Sequence, residues 1–327
     1  MPPIATTTVP LWKRLLWRRL KFLGWLLALL VVVLGGSYLF APQWLVHANT
    51  TRQALAAHVE KHTVTTGTST WSYYAGGEGP QILLLHGFAG DKTVWLDVAA
   101  KLTAHFQVII PDLPGWGESS RLAGAGYSIE AQAAALRDFV QAIDARNFVL
   151  VGHGTGAAVA AVYAAAHPQA SRELALLDAY GLRSKQNVFN DAAASQALFV
   201  YSDRAGLMRA RALAYASPPI LHGPFADLLV RRNQADRAFI ETALQELQQP
   251  AQMRVVHDRL AQLEMPVLGL WCHDDPLIDR SALDDLRNGL THASIISTSI
   301  INGCKHMPML EKPGEVAQIL TGFALSH

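Results

Sequence analysis

Val151-Gly152-His153-Gly154-Thr155-Gly156-Ala157 decides how this chain is read. It closes a short apolar run, Asn147–Val151, and opens an alanine-rich stretch with a helical pattern at about 156–167. Small residues on both sides of position 154 permit a tight reversal from strand into helix. In the G-x-S-x-G form of this turn, the middle residue projects a serine hydroxyl from a strained backbone. Here Gly154 holds the middle position: the turn is retained and relaxed, and the hydroxyl is missing. No other G-x-S-x-G occurs in the chain.

Outward from this turn, strand and helix signals alternate. Gln81–Leu85, Gln107–Ile110, Glu173–Leu177, Val267–Trp271 and Ile295–Ile300 are short apolar runs bounded by Gly, Pro or Asp, which read as buried parallel strands. Helical patterns fall between them at about 92–104, 129–144, 281–290 and 313–325. This alternation predicts an α/β fold with a mainly parallel central sheet flanked by helices. One stretch interrupts it. From 183 to 263 the chain reads as helices without strands, punctuated by Pro218-Pro219 and Gly223-Pro224, and is expected to form a helical lid. The core is expected over 70–182 and 264–327. Phe199, Leu221 and Phe225 are the lid residues expected to line a binding cavity, although most apolar lid residues should simply pack it onto the core.

Three further segments follow strands and carry reactive side chains. His86-Gly87-Phe88-Ala89-Gly90 offers the Phe88 backbone N–H, and Thr155 offers a second one, as a pair suited to a developing oxyanion. Trp271-Cys272-His273-Asp274-Asp275-Pro276 offers Asp275, with Asp274 and then Asp178 as alternatives. Gly303-Cys304-Lys305-His306-Met307-Pro308 offers His306 as a general base, which Asp275 would orient. Each segment alone has an ordinary reading as a loop or a turn cap. Their order, with Asp112-Leu113-Pro114-Gly115 between the first segment and the turn, matches nucleophile, acid, histidine along the chain.

In these segments, together with Trp116-Gly117 and Glu311-Lys312-Pro313, the chain resembles the α/β-hydrolase family over about residues 70–325. Within that family it resembles the membrane-anchored monoacylglycerol lipases and related bacterial lipases. The resemblance implies a serine hydrolase of acyl esters, with a helical lid over an acyl pocket to which Phe88 also contributes. It departs from the family at the nucleophile, Gly154, and at Cys272 and Lys305, where glycine is common. The expectation is therefore a lipase or esterase impaired at its nucleophile, with a catalytically inactive ligand-binding protein as the alternative. Residual turnover would use a water molecule activated by His306.

The N-terminus points the same way. Lys13, Arg14, Arg18, Arg19 and Lys21 precede an uncharged apolar run, Phe22–Phe40, which as a helix would reach roughly 28 Å, close to the ~30 Å hydrocarbon core of a bilayer. Residues 1–21 are expected in the cytoplasm, 22–40 across the membrane, 41–69 as a connector with some helix, and the domain outside the cytoplasm, periplasmic or luminal. A cleaved signal peptide, with Val46-His47-Ala48 at the cleavage site, is the competing reading.

The chain has 327 residues, 50% hydrophobic and 16% charged with net charge +1, which excludes general disorder and gives no electrostatic reason to expect nucleic acid. Two cysteines are too few for a four-cysteine zinc site, and neither metal nor cofactor is expected. Cys272 and Cys304 are expected as buried free thiols, although a domain outside the cytoplasm would permit a disulfide between them. A remote alternative is dinucleotide binding, because Gly152 to Ala157 also fits G-x-G-x-x-[GA] with Asp178 as a ribose partner. That reading leaves His86-Gly87, Asp275 and His306 unexplained.

Overall fold

The computed structural model describes residues 10–122, 124 and 126–326. It opens with helix α1 (Leu11–Phe40), a candidate membrane span none of whose residues is buried against protein. The helix takes in most of the basic segment as well as the apolar run; residues 1–9 of the expected cytoplasmic arm lie outside the described residues. Helix α2 (Pro42–Ala56) follows after a break at Ala41, where Pro42 supplies the preset φ of a first helical turn.

Strands β1 (Val59–Thr66) and β2 (Ser69–Gly76) form an antiparallel hairpin. The rest of the sheet comes from β3 (Gln81–Leu85), β4 (Gln107–Pro111), β5 (Phe148–His153), β6 (Ser171–Leu177), β7 (Val267–Cys272) and β8 (Ile296–Ile301). The order across the sheet is β1-β2-β4-β3-β5-β6-β7-β8, with β2 antiparallel to β4 and every later pairing parallel. The stretch 41–69 is thus more than a connector with some helix, since β1 lies within it. Its sequence hid the strand: as an edge strand with most residues exposed, Glu60-Lys61-His62-Thr63 has no apolar alternation.

Helices α3 (Leu96–Leu102), α4 (Ile129–Ala142), α5 (Thr155–Ala166), α10 (Ala282–Gly289), α11 (Pro308–Glu311) and α12 (Pro313–Leu325) cover the two faces of the sheet. The run at 92–104 divides into a 3-10 turn over Lys92–Trp95 and then α3. Helix α5 is buried over most of its length, which its alanines allow because they let it approach the sheet closely. Between β6 and β7 the chain forms α6 (Ala192–Phe199), α7 (Arg204–Ala214), α8 (Gly223–Ala235) and α9 (Arg237–Leu247). Ahead of α6, Asn187 makes an isolated antiparallel bridge to Ile278, tying this insertion to the loop after β7.

Candidate active site

The turn at 154 sits at the carboxyl end of β5, in the middle of the sheet. Gly154 has φ 55° and ψ −119°, a conformation that L side chains rarely adopt. Its N–H donates to the Leu177 carbonyl at 2.9 Å, and its carbonyl accepts from Tyr180 N at 3.1 Å, so the end of β6 and the loop after it hold the turn. The flanking glycines serve close approach instead: a Cβ on Gly156 would overlap the His86 carbonyl, and one on Gly152 would overlap the backbone of α5. A Cβ on Gly154 would lie in ordinary contact, 3.7 Å from His306 Nε2 and 3.8 Å from Gly87 Cα.

His306 and Asp275 meet beside this position. His306 Nδ1 and Asp275 Oδ2 are 2.8 Å apart, and both side chains are buried. A carboxylate only accepts, so the imidazole N–H is on Nδ1 and the Nε2 lone pair faces Gly154. The other oxygen of Asp275 accepts from Leu277 N at 2.8 Å and Ile278 N at 3.2 Å. The turn-capping role and the histidine-orienting role therefore belong to different oxygens of one carboxyl. Trp271 Nε1–H closes the same loop by donating to Ile278 O at 3.1 Å. Asp274 faces His273 at the surface.

Asp178 is fully buried at the end of β6, where it accepts from Cys272 N at 3.0 Å. Burial, followed by the charge of Asp275, pushes its carboxyl well above the usual carboxylate range, so it holds its proton beside Asp275. A carboxyl enclosed there is no ribose partner, so the dinucleotide reading loses its acidic residue.

Two more histidines border the site. His153 Nε2 donates to the His306 carbonyl at 2.7 Å, bracing the histidine loop from inside the turn. Burial, then the neighbouring His306, holds His153 well below the ordinary imidazole value and therefore neutral. His86 accepts from Leu113 N through Nε2 at 3.0 Å and donates from Nδ1 to Gly87 O at 2.8 Å, which shapes the loop carrying Phe88. Among the described residues, the backbone amides of Phe88 and Thr155 have no protein acceptor.

The Phe88 loop is tied down from beneath. Lys92, buried, donates to Asp112 Oδ2 at 2.5 Å and to Glu118 Oε2 at 2.8 Å, and its ammonium lies 5.3 Å from the Tyr74 ring centroid. Burial opposes ionisation of Glu118, but Lys92, Lys61 and Ser72 outweigh it and hold the carboxyl at about 2 instead of 4.5. Because the folded value is the lower one, this contribution is complete above 4.5 and is lost as pH falls through about 2. The unfolding midpoint of the native chain should fall toward that of Glu118→Gln across this window; a constant gap between them would show that Glu118 does not titrate with the fold.

The turn and the His306–Asp275 pair open into a cavity of about 1140 Å³. Phe88 and Phe199 line it and pack edge to face, with centroids 4.7 Å apart. Trp116, Phe189, Ile240 and Leu277 extend the apolar wall. Sequence reasoning missed these four because neither spacing nor type distinguishes them from core residues. Leu221 and Phe225 do not line the cavity: Leu221 packs on Leu207, Ala226 and Val230, and Phe225 meets Tyr38 of α1. Gln43, Val46, His47 and Thr50 of α2 also line the cavity.

Cys272 and Cys304 form a disulfide, with Cα atoms 5.4 Å apart, rather than two free thiols. Parallel pairing of β7 with β8 brings the two loops together, a proximity that single-sequence patterns do not reveal.

The model of the α/β-hydrolase fold family matches residues 80–313. Monoacylglycerol lipase ABHD6 of Rattus norvegicus is 25% identical over 266 residues, 76% of this chain and 77% of that protein. Lipase 1 of Psychrobacter immobilis is 26% identical over 253 residues, covering 75% and 77%. Among solved structures, a membrane phospholipase A described as a bacterial virulence factor superposes with a TM-score of 0.82 at 32% identity, covering 94% of this chain and 98% of its own. Match length and shared architecture agree, and the chain belongs to the α/β-hydrolase family.

Proposed function

We propose that this chain is a membrane-anchored, lipase-type hydrolase of carboxylic esters that binds lipid-like acyl esters and, with Gly154 at the nucleophile position, turns them over slowly through water. The observation that carries this reading is the oriented His306–Asp275 pair, whose Nε2 faces Gly154 at the base of a largely apolar cavity. A cavity of about 1140 Å³ exceeds the usual small-ligand range of ~300–1,000 Å³ and suits a long acyl chain. The names of the relatives, a monoacylglycerol lipase and a membrane phospholipase A, support acylglycerol-like lipids over small polar esters.

In this mechanism a water molecule occupies the space left by the missing side chain. His306 Nε2 takes a proton from it, and the oxygen attacks the ester carbonyl carbon. The carbonyl oxygen becomes an oxyanion that the Phe88 and Thr155 amides stabilise. Collapse breaks the bond to the alcohol oxygen, which recovers the proton from His306 and leaves as alcohol, with the fatty acid as second product. Asp275 holds the imidazole and stabilises its charged form, and Asp178, acting through Asp275, is a positioning residue. Without a covalent nucleophile, a rate about 10³–10⁴ above uncatalysed hydrolysis is expected.

Lys13, Arg14, Arg18, Arg19 and Lys21 before the span support a cytoplasmic N-terminus, and the disulfide supports a folded domain on the oxidising side. Cleavage at Val46–Ala48 would cut through α2, which lines the cavity; this favours an uncleaved anchor.

Fatty-acid release from a monoacylglycerol by the purified chain, beside His306→Ala, tests the reading. Slow release by the native chain and none by the variant is the expected result. Equal release by both would remove His306 from the mechanism. Tight ester binding with no release by either would make the chain a binding protein.

A further inference from the structure

We infer that the segment Ser217–His222, between α7 and α8, is a second membrane contact that inserts into the bilayer interface beside the anchor. The inference rests on the proposed membrane anchoring of α1. It starts from Ile220, which at 87% is as exposed as Phe40 of the anchor itself, at 86%, although it belongs to the folded domain. From Ala212 to Ala226 the chain contains no Asp, Glu, Lys or Arg, and 216–220 are all exposed. Pro218 and Pro219 have no backbone N–H, which lowers the cost of placing this turn where water is scarce.

An apolar run from Phe22 to Phe40 spans the hydrocarbon core, so its last turn marks the boundary on the side of the domain, and Trp44 follows, 67% exposed, as an interfacial aromatic. Tyr38 in that last turn packs edge to face on Phe225 of α8, with centroids 5.7 Å apart. Phe225 is five residues from Ile220, a reach of at most ~18 Å of extended chain. The exposed apolar turn is therefore tethered to the end of the span within reach of the lipid headgroups. Arg211 donates to the Pro219 carbonyl at 2.5 Å and has no carboxylate partner among the described residues, so it flanks the turn with a charge suited to lipid phosphate. Arg211 and Tyr215 also line the cavity together with α2, so this contact would bring that part of the cavity wall to the source of lipid.

Both native cysteines are in the disulfide, so a single introduced cysteine can be labelled selectively with an environment-sensitive fluorophore. The full chain carrying Ile220→Cys, Val31→Cys in the span, or Arg146→Cys at the opposite end of the sheet is reconstituted into phosphatidylcholine–phosphatidylglycerol vesicles containing nitroxide lipids. Insertion by ~5–10 Å predicts that the label at 220 shifts to the blue and loses roughly half its emission to a nitroxide near the headgroup. The label at 31 should be quenched by a nitroxide deep in the chains, and the label at 146 by neither. Quenching at 31 without quenching at 220 would overturn the inference and leave the anchor standing. A blue shift at 220 that nitroxide lipid does not quench would overturn it in favour of contact with a second copy of the chain. No quenching at 31 would overturn the anchor and this contact together.

Discussion

Gly154→Ser is expected to raise ester turnover by roughly 10⁴–10⁶-fold, because loss of a serine nucleophile costs about that much where it has been measured. In free-energy terms this is about 5–8 kcal/mol of barrier. The site has room for the change: the new Cβ would meet His306 Nε2 at 3.7 Å and Gly87 Cα at 3.8 Å, both ordinary contacts. From that Cβ a hydroxyl reaches His306 at about 3 Å, the distance a base needs. The same substitution imposes a side chain on a backbone at φ 55°, so a stability loss of about 1–3 kcal/mol should accompany the gain. Gly154→Ala separates the two effects, since it carries the strain without the hydroxyl. The expected pattern is two destabilised variants, only one of them fast. A fluorophosphonate that labels serine should mark Gly154→Ser and leave the native chain unmarked. Equal rates for native chain, alanine variant and serine variant would mean that position 154 does not face the reacting carbonyl.

Removing the disulfide by Cys272→Ser with Cys304→Ser is expected to cost about 3–4 kcal/mol, from the entropy of closing a loop whose ends are 32 residues apart. The functional consequence should exceed the stability loss. Cys272 stands three residues before Asp275 and Cys304 two before His306, so the bridge joins the loops that carry the proposed acid and base. In the Gly154→Ser background, opening the bridge should lower kcat more than it raises KM, because it loosens the proton-transferring pair and leaves the apolar cavity intact. Denaturant midpoints with and without reductant give the stability part. Reductant should shift the native chain to the position of the double variant and leave the variant unmoved. If thiol labelling shows the bridge open while midpoint and kcat stay put, the two loops are held by packing alone.

Much of the architecture was legible because buried parallel strands leave a strong mark. Gln81–Leu85 has its expected bounds, and the runs at 107, 147, 173 and 267 lie within a residue or two of β4 to β7; the run at 295 gives the position of β8, which is a partly exposed edge strand and not a buried one. Central strands are covered on both faces, so they are apolar throughout and end abruptly at Gly, Pro or Asp. The edge hairpin was less legible for the converse reason: β1 has one partner and mostly exposed residues, and its polar sequence resembles a linker. The Lys92–Asp112–Glu118 network was invisible because charged residues spread over 26 positions give no local sign that they will meet, with Lys92 and Asp112 buried.

Residue order alone determined the elements, the tight glycine turn at 154 and the sequence of histidine-glycine loop, turn, aspartate and histidine, since these depend on local conformational rules and on the succession of strands. Tertiary structure alone decided which groups meet: that Asp275 rather than Asp274 turns toward His306, that Cys272 reaches Cys304, that α2 helps to line the cavity, and that Phe225 packs on Tyr38 and leaves the cavity wall to Trp116 and Phe189. Such contacts join residues far apart in the chain through the register of the sheet and the packing of helices on it, and pairings at that range leave no periodic trace in a single sequence.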